Sequence, residues 1–169
     1  MTQLKDYETF LNAIDRMRQR RPEVLGLIVG GVHPDRQRYF ESLQKQVATL
    51  SLQDHIAFVG SQQHVAEIYE LSQVVVSSSK KAESFGRSAA EAMAMGVPVV
   101  GTKHGGMLDI VLEDETGYLF VPGNGVQLAD KIIAATDRSW PNLRDHVARH
   151  FSLDQMVEKT LSVYRELVR

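Results

Sequence analysis

Apolar residues follow two rhythms along this chain. Tyr7, Phe10, Leu11, Ile14 and Met17 lie three and four apart, which predicts one apolar helix face over residues 6–20. Pro22 stops that helix. The run Val24-Leu25-Gly26-Leu27-Ile28-Val29 then reads as a buried strand. Residues 34–50 return to the helical rhythm, with Tyr39, Phe40, Leu43, Val47 and Leu50 inward. The alternation continues. Strands are expected at 55–59, 74–76, 97–100 and 117–121, and helices at 65–71, 87–95, 105–112, 126–136, 143–150 and from 153 onward. Pro98 has no N–H to donate and should lie at the start of its strand.

Short strands that are apolar on both faces, alternating with helices, predict a doubly wound α/β domain. Its five strands should form one Rossmann-like parallel sheet with helices on both faces. Such a domain ordinarily begins with a strand, yet residue 1 stands at the start of a helix. A further strand ahead of residue 1 is therefore expected.

Composition narrows the field. The 169 residues suit one domain, with 43% apolar and 24% charged residues. A net charge of −2 gives no global attraction to nucleic acid. There is no cysteine, which excludes disulfides and thiolate metal or redox sites. No apolar run reaches the ~20 residues of a membrane span, and residues 1–20 lack a signal-peptide core. A cytoplasmic location is expected, with membrane contact left open through other parts of a longer protein. Arg16, Arg18, Arg20 and Arg21 read as a solvated helix end favourable to the helix dipole.

In an open parallel sheet, ligands bind outside the carboxyl ends of the strands. The loop after the third strand runs from Ser77 through Lys80, Lys81, Glu83, Ser84 and Phe85 to Gly86, where a helix begins. A helix start offers free N–H groups and a partial positive charge to an anion. Glu83 and Glu91, eight positions apart, could flank one ligand and accept hydrogen bonds from sugar hydroxyls. The same residues admit a plainer reading in which Ser88 and Glu91 form a capping box. His146 and His150 have zinc-compatible spacing but no evident third ligand, and read as an exposed helical pair. His104, beside the Gly pair, could reach a bound ligand. No Asp-x-Asp pair occurs, so no metal site is expected.

The stretch from Glu83-Ser84-Phe85-Gly86 through Glu91 and the Ala-rich helix to Gly96-Val97-Pro98-Val99-Val100 resembles the signature of the group 1 (family 4) glycosyltransferases. The resemblance is collinear over essentially the whole chain. It takes in Leu4-Lys5-Asp6-Tyr7, Ile56-Ala57-Phe58-Val59-Gly60, Gly105-Gly106, Thr116-Gly117-Tyr118 and the last helix. It implies that residues 1–169 are the C-terminal, donor-binding domain of a GT-B fold. An N-terminal acceptor domain and the first strand would lie ahead of residue 1. The implied activity is transfer of a sugar from a nucleotide diphosphate sugar to an unidentified acceptor, such as a glycan or lipid-linked glycan, with retention and without a cofactor. The isolated domain should be inactive.

The resemblance also implies roles. Glu83 would be catalytic, orienting the donor sugar, and Glu91 would hold the ribose. Phe85 and Gly86 would present N–H groups, with Ser84, Arg87 and Ser88 completing the helix mouth. Lys5 would pair with the diphosphate. Gln62, in the loop with Ser61 and Gln63, would border the base. Gly105 and Gly106 would leave room for the donor. The chain departs from the family pattern at Asp6, where Gly is common, at Asp109, where Glu is usual, and at Gln73, where Asp is frequent. The family's Arg falls five positions before Lys5, ahead of residue 1. A dinucleotide-binding oxidoreductase fits poorly, because Gly30-Gly31-Val32-His33-Pro34 lacks the Gly-x-Gly-x-x-Gly pattern. A non-catalytic nucleotide-sugar sensor and a nucleotide-sugar epimerase remain as further alternatives.

Overall fold

The computed structural model describes residues 1–168. The elements alternate as α1 (Tyr7–Met17), β1 (Gly26–Val29), α2 (Gln37–Thr49), β2 (Ile56–Gly60), α3 (Val65–Leu71), β3 (Val75–Ser77), α4 (Arg87–Ala94) and β4 (Val99–Thr102). Then come α5 (Met107–Ile110), β5 (Gly117–Phe120), α6 (Gly125–Thr136), α7 (Leu143–Phe151) and α8 (Leu153–Leu167). Short 3-10 turns at Gln3–Lys5 and Pro34–Arg36 precede α1 and α2.

All strand pairs are parallel. They do not form the single five-stranded sheet expected from the sequence. β1 pairs with β2 in one sheet, and β3-β4-β5 form another. β1 and β3 face each other across a slot instead of bonding. Burial follows this division. β4 and β5 are buried at every position, whereas β1 and β3 are only partly covered.

The period-two alternation of β4 and β5 divides the core into two layers. Val100, Tyr118 and Phe120 pack with α1, α2 and α6 residues such as Leu11, Leu43 and Leu128. Val99 and Leu119 pack with Ala89, Met93, Met107 and Leu143 from α4, α5 and α7. Helices thus cover both faces, as an α/β doubly wound domain requires. Phe40 and Leu50, expected inward, are only partly buried; Phe40 meets Phe58 edge-on at 5.1 Å between centroids.

The Arg cluster at the end of α1 does more than sit in solvent. Arg18 donates to the carbonyls of Leu50 and Ser51, each at 2.9 Å, and so caps the end of α2, where Ser51 turns with φ 53°. Arg20 and Arg21 pair with Asp130 and Asp137 of the α6 region. At the other end, α8 buries no residue; its apolar positions Leu153, Met156 and Leu167 are exposed. No described helix is long and apolar enough to cross a membrane.

Leu11 is fully buried where α1 meets α6 and the strands. Leu11→Ala is expected to lower unfolding free energy by about 2–5 kcal/mol in a denaturant titration. Leu167→Ala, at a site 77% exposed, should stay within ~0.5 kcal/mol of the parent.

Candidate active site

The carboxyl ends of β3 and β4 place three segments together. The first is the turn ahead of α1. Lys80 N donates to Leu4 O at 2.7 Å, and Ser78 Oγ donates to Lys5 O at 2.7 Å, so the loop after β3 holds Lys5 by its own backbone. Asp6 follows in the left-handed region, φ 50° and ψ 53°. That geometry accounts for Gly being common at this position, and Asp tolerates it better than most residues. Asp6 is 1% exposed and accepts from Thr9 Oγ1 at 2.7 Å, while Lys80 Nζ lies 3.0 Å from its other oxygen.

The second segment carries Glu83. Its side chain is 17% exposed and forms an ion pair with Lys5 Nζ. Ser79 Oγ donates to the same Glu83 oxygen at 2.6 Å. Ser79 is itself buried, and its carbonyl lies 2.9 Å from His104 Nε2. Burial pushes the Glu83 carboxyl up, but the hydrogen bonds from Lys5 and Ser79, with the charges of Lys5 and His104, outweigh it. The net shift is downward, so Glu83 is ionised at neutral pH.

The third segment is Gly105-Gly106. Gly106 N donates to Glu83 O at 2.8 Å. A Cβ on Gly105, which has φ +56°, would stand 2.7 Å from Glu83 O. One on Gly106 would stand 2.7 Å from Phe85 O. These glycines therefore make room for the Glu83–Phe85 backbone itself, a closer cause than the room for ligand that the sequence suggested. Gly86 has φ +85° and is the N-cap of α4, and a Cβ there would collide with Met107. Phe85 is 47% exposed and stacks edge-on against Phe151 at 6.0 Å. A cleft of about 340 Å³ opens beside Ser84 and Phe85, with Asp109, His150 and Lys159 on its walls.

The capping-box reading of Ser88 and Glu91 does not hold. α4 begins at Arg87 behind Gly86, which puts Ser88 inside the helix and Glu91 beyond its first turn. Glu91 is exposed and accepts from Tyr69 Oη at 3.0 Å. Burial, and then the bond to Glu91, push Tyr69 up to about 12, so at neutral pH it donates as the phenol. The structure joins Lys5, Glu83, Gly105 and Gly106 directly and sets Ser84, Phe85, Gly86, Arg87 and Ser88 around the start of α4. Gln62 stands apart on the loop after β2, exposed, with its amide donating to Val59 O at 2.5 Å.

Two residues escaped the sequence reading. Ser79 belongs to a Ser run at the carboxyl end of a parallel strand, and that placement was its only signal. Tyr69 was masked by the apolar rhythm of α3. The expectation of an exposed histidine pair also needs correction. His146 is 8% exposed, packs on Phe151 and lies 3.3 Å from Ile110 O through Nε2. The apolar side of α7 buries it. Among the described residues, no group of three His, Cys, Asp or Glu is placed to hold a metal ion.

The family model of the group 1 glycosyl transferases matches residues 1–150. The chain belongs to this family. It is 31% identical over 136 residues to the N-acetyl-alpha-D-glucosaminyl L-malate synthase of Bacillus anthracis, an alignment covering 77% of this chain and 35% of that protein. It is 32% identical over 177 residues to a D-inositol 3-phosphate glycosyltransferase of Kribbella flavida, covering 96% and 41%. Among solved structures, a glycosyltransferase from Rickettsia africae superposes with a TM-score of 0.90 at 26% identity, covering 100% of this chain and 46% of that one. Anabaena Alr3699/HepE in complex with UDP-glucose gives 0.85 at 26% identity, covering 96% and 46%. The chain thus spans between about a third and a half of the length of these relatives.

In this group 1 chain the Glu83 shift has a measurable consequence. A carboxyl-carbon NMR titration should find Glu83 titrating below the ordinary carboxylate value, and Ser79→Ala should raise it by removing a donor. The Glu83 contribution to stability is present above the unfolded-state pKa and is lost as pH falls through the lower folded value. An unshifted Glu83, or no response to Ser79→Ala, would refute this electrostatic account.

Proposed function

We propose that this chain binds the nucleotide diphosphate sugar donor of a glycosyltransferase and that its site supports transfer of the sugar to an acceptor. The observation that carries this reading is the convergence of Lys5, Glu83 and the start of α4 at the carboxyl ends of the strands. A cation and the free N–H groups of a helix start suit a diphosphate, and an adjacent carboxylate suits sugar hydroxyls. The structural relative from Anabaena, solved with UDP-glucose, supports the same ligand class.

Lys5 and Glu83 neutralise one another as an ion pair. A diphosphate arriving at Lys5 competes with Glu83 for the ammonium and leaves the carboxylate, still held by Ser79, to receive hydroxyls of the sugar. As the bond from the anomeric carbon to the diphosphate oxygen breaks, negative charge grows on the leaving nucleoside diphosphate. Lys5 and the N–H groups at the start of α4 stabilise it there. The acceptor hydroxyl oxygen forms the new bond to the anomeric carbon and its proton passes to the departing diphosphate, in this reading with retention and with no cofactor. Glu91, turned by Tyr69, takes the ribose; Gln62 borders the base. The acceptor is met by an N-terminal half of the same protein, which also shields the donor from water. The acceptor is a glycan or lipid-linked glycan, and the full protein works in the cytoplasm, at a membrane where the acceptor is lipid-linked.

Titration calorimetry of the 169-residue chain with UDP, GDP and ADP sugars should detect weak binding of one of them, and no transferase activity should accompany it. No binding of any at millimolar concentration would count against the site. In a two-domain protein containing this chain, Glu83→Ala should reduce turnover.

Glu91→Ala distinguishes a ligand contact from a structural one. A role at the ribose predicts donor affinity about tenfold weaker with an unchanged melting temperature, the scale of a lost charged hydrogen bond. Unchanged affinity with a lower melting temperature would overturn the assignment.

A further inference from the structure

Ser79 carries the hydroxyl that fixes Glu83, so whatever holds Ser79 decides how firmly that carboxylate stands. The peptide group joining Ser79 to Lys80 is gripped at both ends. Its oxygen, Ser79 O, lies 2.9 Å from His104 Nε2. Its amide, Lys80 N, donates to Leu4 O at 2.7 Å. The C=O and N–H of one trans peptide point in opposite directions. The loop after β4 and the turn ahead of α1 therefore hold this group from opposite sides. Ser79 is 2% exposed, so solvent has little access to replace either partner.

A carbonyl oxygen only accepts, and this settles the imidazole. His104 must donate from Nε2, so its neutral ring carries the proton there. The backbone of His104 is itself held, with its amide donating to Thr102 O at 2.7 Å at the end of buried β4. The loop after β4 thus reaches Glu83 twice. Gly106 N takes its carbonyl, and His104, by way of Ser79, takes its carboxylate.

We infer that His104 is a positioning residue for Glu83: by donating to the Ser79 carbonyl it holds the hydroxyl that aims the carboxylate at the donor sugar. The aim rests on the function proposed above; the link from His104 to Glu83 does not. Lys5 and Ser79 bond to the same Glu83 oxygen, and a diphosphate draws Lys5 away. Ser79 is then the remaining side-chain donor, and the grip of His104 counts most with ligand bound. The consequence is selectivity for the sugar. A loosened carboxylate loses bonds to sugar hydroxyls, while Lys5 and the start of α4 keep theirs to the nucleotide.

His104→Gln and His104→Ala test this together. His104 acts on Glu83 by its charge and through Ser79. Gln removes the charge and keeps an N–H donor at the end of the side chain; Ala removes both. Carboxyl-carbon NMR should find Glu83 titrating higher in both variants, and higher with Ala than with Gln. In a Ser79→Ala background the difference between Ala and Gln should vanish, because the hydroxyl that transmits it is gone. Nitrogen NMR of the unaltered chain should place the proton of neutral His104 on Nε2, a readout that needs no variant to fold. Calorimetry with UDP-glucose, GDP-mannose and ADP-glucose, each against its own nucleoside diphosphate, reads the consequence. For the pair that binds, His104→Ala should cut the preference for the sugar nucleotide about three- to tenfold, and His104→Gln should restore most of it. Equal Glu83 titration in the two variants overturns the inference. So does a difference that survives Ser79→Ala, a proton on Nδ1, or a sugar preference that none of the variants moves. No binding of any pair, with the Ala–Gln difference intact, removes the donor reading and upholds the link from His104 to Glu83.

Discussion

The site depends on one backbone-to-backbone contact. Gly105 and Gly106 lie so close to the Glu83–Phe85 chain that a single added carbon would meet a carbonyl at 2.7 Å at either position. This contact couples the loop after β4 to the loop after β3. It sets where Glu83 emerges and which way α4 starts. The sheet supplies the base for it: β4 is buried along its whole length between two helical layers, so its carboxyl end is a fixed reference for everything above.

On that frame the electrostatics are compact. Lys5 and Glu83 come from segments 78 residues apart, and each is held by something other than its partner. Lys5 is anchored through its carbonyl to Ser78, and Glu83 through its carboxylate to Ser79. The pair can open without either residue losing its position, which a ligand-binding pair requires. Below it, Asp6 and Lys80 form a second pair, with Asp6 almost fully buried. That pair fixes the turn that presents Lys5.

Much of this was legible in the chain because local chemistry and global placement agreed. Alternating apolar runs announced the layers, and the stretch from Glu83 to Val100 announced the family. What was not legible has physical reasons. Ser79 acts through its position at a strand end, and a serine carries no pattern of its own. Tyr69 looked like core because it falls in the apolar rhythm of α3, which does not show that its hydroxyl reaches Glu91. His146 was read as solvent-facing because a helical i, i+4 pair does not reveal which face a neighbouring aromatic, here Phe151, will cover. The division into two sheets was invisible because pattern identifies strands and not which strand lies beside which.

The inner face of α4 is built almost entirely of methyl groups. Ala89 and Ala92 are fully buried and Ala90 nearly so, with Met93 the one large side chain. Small residues let a helix axis settle close to the strands beneath it, much as they do where helices touch in membranes. Side-chain size on this hidden face therefore sets the height of the helix mouth above the sheet. Substituting a valine for Ala89 or Ala92 would act as a shim, tilting the mouth outward without altering any group that could touch a ligand. The pitch of the helix mouth is governed from underneath, by side chains that solvent does not reach.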